Sequence, residues 1–215
     1  SSSPGIYFVA QNNAKDKRWN YSTSRYMIRL ALVGNIGSGK TFISKKFGFP
    51  VFNADLEVNN LYKNNKTCFR KLNNIFPKFI NSFPVKKEIL TKIILQNDLN
   101  LKKIIKIVHP LIRKKMKKFL LKNKSKKIVV LDVPLFLENR MNKKDDIIIF
   151  IESKKSKIFK RLKKRKNYSS KLINKFKKIQ LPVEIKKRKS KFTVRNNFSN
   201  KFYKKDINFI LEKIL

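Results

Sequence analysis

The sequence predicts an α/β protein in which a parallel sheet is flanked by helices. Three observations carry that prediction. Apolar runs with no polar alternation recur at 28–33, 127–132 and 146–151, and strands apolar on both faces belong to parallel sheets covered on both sides. Segments of helical period separate these runs. A glycine-rich stretch, GNIGSGKT at 34–41, joins the first run to the first helical segment, giving the order strand, loop, helix.

Taken in order, residues 1–26 are polar and have no amphipathic period, and read as a disordered extension preceding a domain of residues 27–215. Strand one is followed by the glycine-rich loop and a helix ending near Phe47, with Gly48 as its stop and Pro50 beyond. Val51-Phe52 reads as a short buried strand. Asn53-Ala54-Asp55 ends it and opens a helix through Leu56, Val58 and Leu61, with Asn53 or Asp55 as its cap. The pattern from Lys66 to Leu121 is helical, with a long apolar stripe through Leu101, Ile104, Val108, Ile112 and Met116. Pro110 predicts a kink or boundary within it. Residues 127–132 form a buried strand ending in Asp132, and 146–151 another. Ser156–Lys166 reads as a helix with Ile158, Phe159 and Leu162 inward, Ser170–Gln180 as a second, Phe192–Arg195 as a last strand and Lys204–Leu215 as a closing helix. The helical stretch, about 63–121, is read as an inserted lobe.

The loop carries the clearest chemistry. It fits G-x-x-x-x-G-K-[ST], the phosphate-binding P-loop. Glycine lets the backbone curl until its N–H groups face an anion, and the following helix adds its positive end at the same point. Asn35, Ile36, Gly37, Ser38, Gly39, Lys40, Thr41 and Phe42 are the candidate nucleotide-binding residues, Lys40 for the β- and γ-phosphates and Thr41 for Mg²⁺. Sites in open parallel sheets lie at the carboxyl ends of the strands. Asp55 and Asp132 stand at two such ends and the loop at a third. That is the layout of a phosphoryl transferase, with one acid near the acceptor hydroxyl and the other near the metal.

Composition narrows the partners. The chain of 215 residues has 54 Lys+Arg against 13 Asp+Glu, a formal charge of +41. Nucleic-acid binding is one reading of that charge. The abundance of Lys, Asn, Ile and Phe with only 5 Gly and 1 Trp favours compositional drift, and the lysines are spread along the chain, so no specific nucleic acid is expected. The single cysteine, Cys68, excludes an internal disulfide framework and suits a reducing cytoplasm. No apolar run approaches the roughly 20 residues of a membrane helix, and a monomer or weak homo-oligomer is expected.

GNIGSGKT at 34–41, VFNAD at 51–55, HPLI at 109–112, VLDVPLFLE at 130–138, RLKKR at 161–165, Gln180 and KFTVRNN at 191–197, in that order and spacing, resemble the dephospho-CoA kinase family. The resemblance runs from about Met27 to Leu215. It implies a P-loop nucleotide kinase fold with a nucleotide core, a helical substrate lobe and a small lid at about 156–190. It implies transfer of the ATP γ-phosphate to the 3′-hydroxyl of dephospho-CoA with Mg²⁺. Carried over by position, Lys40, Asp55, Arg161 and Arg165 are the catalytic candidates. Asp55 would orient the hydroxyl and accept its proton, and the arginines would close over the phosphates. Asp55, His109 and Asp132 fall on the substrate side, and Asn196 or Asn197 on the adenine side. The family usually has an acid where this chain has Asn53. Competing readings stand beside these: Asp55 as a helix cap, His109 as a packed histidine at a helix break, Asp132 as a strand end without metal contact, and Arg161 and Arg165 as solvated surface. Glu138 is read as structural. Two other functions compete: a different small-molecule P-loop kinase, such as a nucleoside monophosphate kinase, and a basic nucleic-acid-binding protein with a vestigial nucleotide site.

Overall fold

A computed structural model describes residues 27–164, 168–198 and 202–215. The expected extension at 1–26 and Arg165 lie outside the described residues. Five strands, β1 (Ile28–Gly34), β2 (Val51–Asn53), β3 (Ile128–Asp132), β4 (Ile147–Glu152) and β5 (Phe192–Arg195), form one parallel sheet in the order β2-β3-β1-β4-β5. The helices of the described residues are α1 (Lys40–Lys46), α2 (Ala54–Asn64), α3 (Lys66–Ile75), α4 (Lys87–Gln96), α5 (Asp98–Lys122), α6 (Lys155–Lys163), α7 (Ser170–Lys178), α8 (Val183–Lys189) and α9 (Phe202–Ile214).

The period of two in the strands sorts their side chains into two layers. Ala31, Val33, Leu131, Ile148 and Phe150 face one side, where they join Leu61, Leu72, Ile93, Ile104 and Val108 of the helical lobe in a single core. Leu30, Leu32, Val130, Ile149 and Ile151 face the other, under Ile43 of α1 and Ile207 and Ile210 of α9. Cys68 of α3 is fully buried in the lobe, and burial pushes its thiol up to about 11.

Several expectations change here. Helix α5 runs 25 residues without interruption through Pro110. Pro110 is exposed and costs about 3 kcal/mol as one lost hydrogen bond and a steric conflict. The stripe Leu101, Ile104, Val108, Ile112 and Met116 is buried, and each such side chain contributes about 1.5–3 kcal/mol, so packing wins. Phe159, expected inward, is 51% exposed, with the Lys163 ammonium 4.5 Å above its ring; Ile158 and Leu162 alone form the buried stripe of α6. Asn53, not Asp55, caps α2, accepting from the Leu56 N–H at 2.9 Å. Helix α8 was not expected at all, because its sequence VEIKKRK reads as a charged connection.

Three contacts to one carboxylate hold the amino end of the sheet. Arg29 on β1 reaches Asp146, just before β4, with Nε–Oδ1 of 2.9 Å and Nη2–Oδ2 of 3.0 Å. The Lys143 N–H donates to the same carboxylate at 2.8 Å.

Candidate active site

The glycine-rich loop leaves β1 at Gly34 and enters α1 at Lys40. Gly37 and Gly39 have φ of 82° and 89°, the left-handed region that costs a Cβ-bearing residue. Space forbids a side chain as well. A Cβ on Gly39 would lie 2.2 Å from Asn196 Nδ2, and one on Gly37 would lie 3.0 Å from Leu162. Helix α6 is therefore packed directly on the loop through Ile158 and Leu162.

The chain after β5 supports the loop from beneath. Asn196 is fully buried. Its Nδ2 donates to the Ser38 carbonyl at 2.8 Å, and Ser153 Oγ donates to the same oxygen at 2.9 Å. Two donors from outside the loop thus hold that carbonyl. Phe198 follows with φ of 60°. The Arg161 guanidinium lies 4.1 Å above its ring, and a Cβ on Gly39 would come 2.9 Å from that same ring. Phe42, an expected nucleotide contact, sets its ring edge against Tyr203 of α9, with centroids 5.4 Å apart.

Lys40 Nζ donates to the carbonyls of Gly34 at 3.2 Å and Asn35 at 3.1 Å. Burial pushes its ammonium below the usual lysine range. Asp132 draws it back up, Lys186 pushes it further down, and Asp55 and Glu138 also draw it up. These five side chains thus share one electrostatic neighbourhood at the carboxyl end of the sheet. Asp132 is 3% exposed. It accepts from Thr41 Oγ1 at 2.6 Å and from Asn53 Nδ2 at 3.0 Å. Burial raises its carboxyl above the ordinary range, while the Thr41 hydrogen bond and Lys40 oppose the rise.

The hydroxyl of Thr41 and the carboxylate of Asp132, in contact at the mouth of the loop, form a hard oxygen donor set. Such a set fits Mg²⁺, which takes one or two protein oxygens and completes its shell with phosphate oxygens and water. Asp55 is exposed in the first turn of α2, on the same side of the sheet as Lys40 and Asp132. His109 stands apart from this cluster. It is half-buried on α5, and its Nδ1 accepts from Arg113 Nε at 3.5 Å. Burial and then the Arg113 charge lower its pKa, so the ring is neutral at pH 7. Among the described residues its Nε2 is buried without a hydrogen-bond partner.

Three contributors escaped the sequence reading: Ser153, Phe198 and Lys186. Lys186 is 3% exposed and pairs with Glu138 at 3.3 Å. Its only sequence signal is the spacing of three from Val183, which turns it inward on α8.

Comparison with known proteins bears on this arrangement. The Dephospho-CoA kinase family profile matches residues 28–201. A dephospho-CoA kinase of the Wolbachia symbiont of Brugia malayi is 33% identical over 190 residues, covering 86% of this chain and 97% of that protein. The dephospho-CoA kinase of Borreliella burgdorferi is 33% identical over 180 residues, covering 81% and 86%. Among solved structures, a Thermus thermophilus protein superposes with a TM-score of 0.71 at 20% identity, covering 88% of this chain and 99% of its own. Dephospho-CoA kinase from Campylobacter jejuni superposes with a TM-score of 0.55 at 22% identity, covering 86% and 96%.

Proposed function

Since the chain belongs to the dephospho-CoA kinase family, we propose that its phosphate loop, Asp55 and Asp132 together transfer the ATP γ-phosphate to the 3′-hydroxyl of dephospho-CoA. The products are coenzyme A and ADP. The observation that carries this reading is the meeting of Lys40, Thr41, Asp132 and Asp55 at one end of the sheet, where strand, loop and helix N-terminus all present to an anion.

The residues divide the work. The N–H groups from Asn35 to Phe42 receive the β- and γ-phosphates. Lys40 exchanges its two loop carbonyls for phosphate oxygens, a stronger, charge-assisted contact. Thr41 and Asp132 would hold Mg²⁺, which neutralises charge on the phosphates when bound. Asp55, in the first turn of α2, orients the acceptor hydroxyl and takes its proton. Arg161 turns from the Phe198 ring toward the transferring phosphoryl group. Arg165 is assigned the same task from its place four residues on. The segment 156–190 acts as a lid, and about 63–121 as the acceptor lobe with His109 on its substrate side. Asn196 or Asn197 is assigned to the adenine side.

The single thiol supports a reducing cytoplasm, and the described residues hold no helix long and apolar enough to cross a membrane. We read the chain as a monomer or weak homo-oligomer. The deciding experiment is a coupled ADP-release assay with ATP, Mg²⁺ and dephospho-CoA. ADP release that requires dephospho-CoA, with a nucleoside monophosphate failing to replace it, is the expected result. Equal turnover with a nucleoside monophosphate would return the chain to a broader small-molecule kinase role.

A further inference from the structure

The segment between β3 and β4, residues 133–141, has an unusual backbone. Leu135 and Arg140 have φ of 56° and 50°. Side-chain-bearing residues adopt that region only where their surroundings over-determine it, and such positions gather at switches and ligand clamps. Here the surroundings are visible. Phe136 and Leu137 are buried. The Asn139 N–H donates to the Leu135 carbonyl at 2.9 Å, and that of Met141 to the Phe136 carbonyl at 3.0 Å.

Two sets of contacts tie the segment to other elements. From α5, Arg113 Nη2 donates to the carbonyls of Asn139 at 2.6 Å and Arg140 at 3.2 Å, while its Nε faces His109. From the segment itself, Glu138 Oε1 accepts from the Leu181 N–H at 2.9 Å, in the turn between α7 and α8. The same oxygen lies 3.3 Å from Lys186 Nζ, with side chains 3% and 11% exposed for Lys186 and Glu138. A buried ammonium that loses its carboxylate is left uncompensated, so this grip resists opening. Helix α8 in turn lies against β1, the strand that leads into the phosphate loop, and against its neighbour β4.

We propose that residues 133–141 are a linkage between the acceptor lobe and the lid, in which Arg113 and Glu138 are positioning residues for phosphoryl transfer. The inference rests on reading 156–190 as the lid. Its mechanical content is simple. A shift of α5 beside His109 moves Arg113 and the two carbonyls it holds. The stiff segment carries that displacement to Glu138, which holds the returning end of the lid at Leu181 and Lys186. Lid and acceptor lobe therefore set their positions jointly. Neither residue touches the reacting atoms in this account. Lys186 is placed with its charge near Lys40 as a consequence of the same grip.

The test uses the full chain and the variants Arg113→Ala, Glu138→Gln and the double variant. Each single variant should lower kcat by about tenfold, a misplacement effect, with KM for ATP changed less than about twofold, since the phosphate loop is intact. The double variant should be no slower than the slower single one, because both cut the same linkage. Hydrogen exchange gives a second readout that survives loss of activity. Arg113→Ala, on α5, should speed exchange at the Leu181 amide, while Arg113→Lys should restore part of the protection. Singles with unchanged kcat, singles whose effects multiply, or an unaltered Leu181 amide in Arg113→Ala would each overturn the linkage. A wild-type chain that fails to phosphorylate dephospho-CoA would count against the assigned reaction, and the exchange measurement would still decide the linkage.

Discussion

The two ends of the sheet each bury a carboxylate, and they treat it differently. At the amino end, Asp146 receives a bidentate guanidinium from Arg29 and a backbone N–H from Lys143. At the carboxyl end, Asp132 receives a hydroxyl and an amide, both neutral, and among the described residues no cation pairs with it at bonding distance. Burial raises both carboxyls. The difference teaches how one fold divides stability from function. A buried acid whose counter-ion is built in is a fastener. A buried acid given only neutral donors holds unspent charge, and that is the end to which we assign the phosphates and Mg²⁺.

Experiments can break this contrast, beginning with the largest effect. Lys40→Ala should lower kcat/KM for ATP by about 10³-fold, the scale of a lost phosphate-stabilising group; steady-state kinetics with dephospho-CoA in excess checks it. Asp146→Asn leaves Arg29 buried without its charge partner and should cost about 3 kcal/mol of stability, with kcat nearly unchanged in the fraction still folded. Denaturant titration measures the loss, and a variant as stable as the parent would remove the fastener from the comparison. Asp55→Asn should lower kcat by about 10²-fold and leave KM for ATP nearly unaltered, as fits a proton acceptor on the acceptor side. Arg161→Ala should cost about tenfold in kcat if the guanidinium reaches phosphate; an unchanged rate would return it to the Phe198 face.

Asp132→Asn gives the smallest change in stability and the sharpest contrast. The folded state raises the carboxyl's pKa, so it favours the neutral form. Above the folded pKa the buried charge lowers stability, and as pH falls through that value toward the ordinary carboxylate range the penalty disappears. The variant should therefore melt higher than the parent at pH 7, and the gap should close on acidification. Activity should fall all the same. A variant at position 132 that melts lower at pH 7 would show that its hydrogen bonds outweigh its charge.

How much of this was legible in the sequence follows from the kind of signal each residue left. The loop declared itself because Gly37, Gly39, Lys40 and Thr41 are fixed by spacing alone. The three longer strands were readable because their apolar runs are uninterrupted, and the termini shifted by only a residue. Pro110 makes no helix boundary because its cost is local, while the compensating burial of α5 is spread along the helix. Phe159 misled because a lysine can cover an exposed ring, which hydrophobicity counting does not register. Lys186 was hidden for the opposite reason. In a chain of 54 basic residues, the buried ammonium in KKRK looks like its solvated neighbours until Glu138, 48 positions earlier in the numbering, is seen to meet it. Asn196 was placed on the nucleotide side from the resemblance, but its hold on the Ser38 carbonyl required the packing of β5 beside β4.

The chain carries one sulfhydryl, and its position makes it a clock. Cys68 is shut inside the helical lobe, and at about 11 its pKa leaves almost no thiolate at neutral pH. A thiol reagent can label it only during excursions in which α3 lifts away, so the labelling rate counts those excursions directly. If dephospho-CoA seats against that lobe, its presence should slow the clock, while ATP alone, which we assign to the phosphate loop, should leave it running nearly as before.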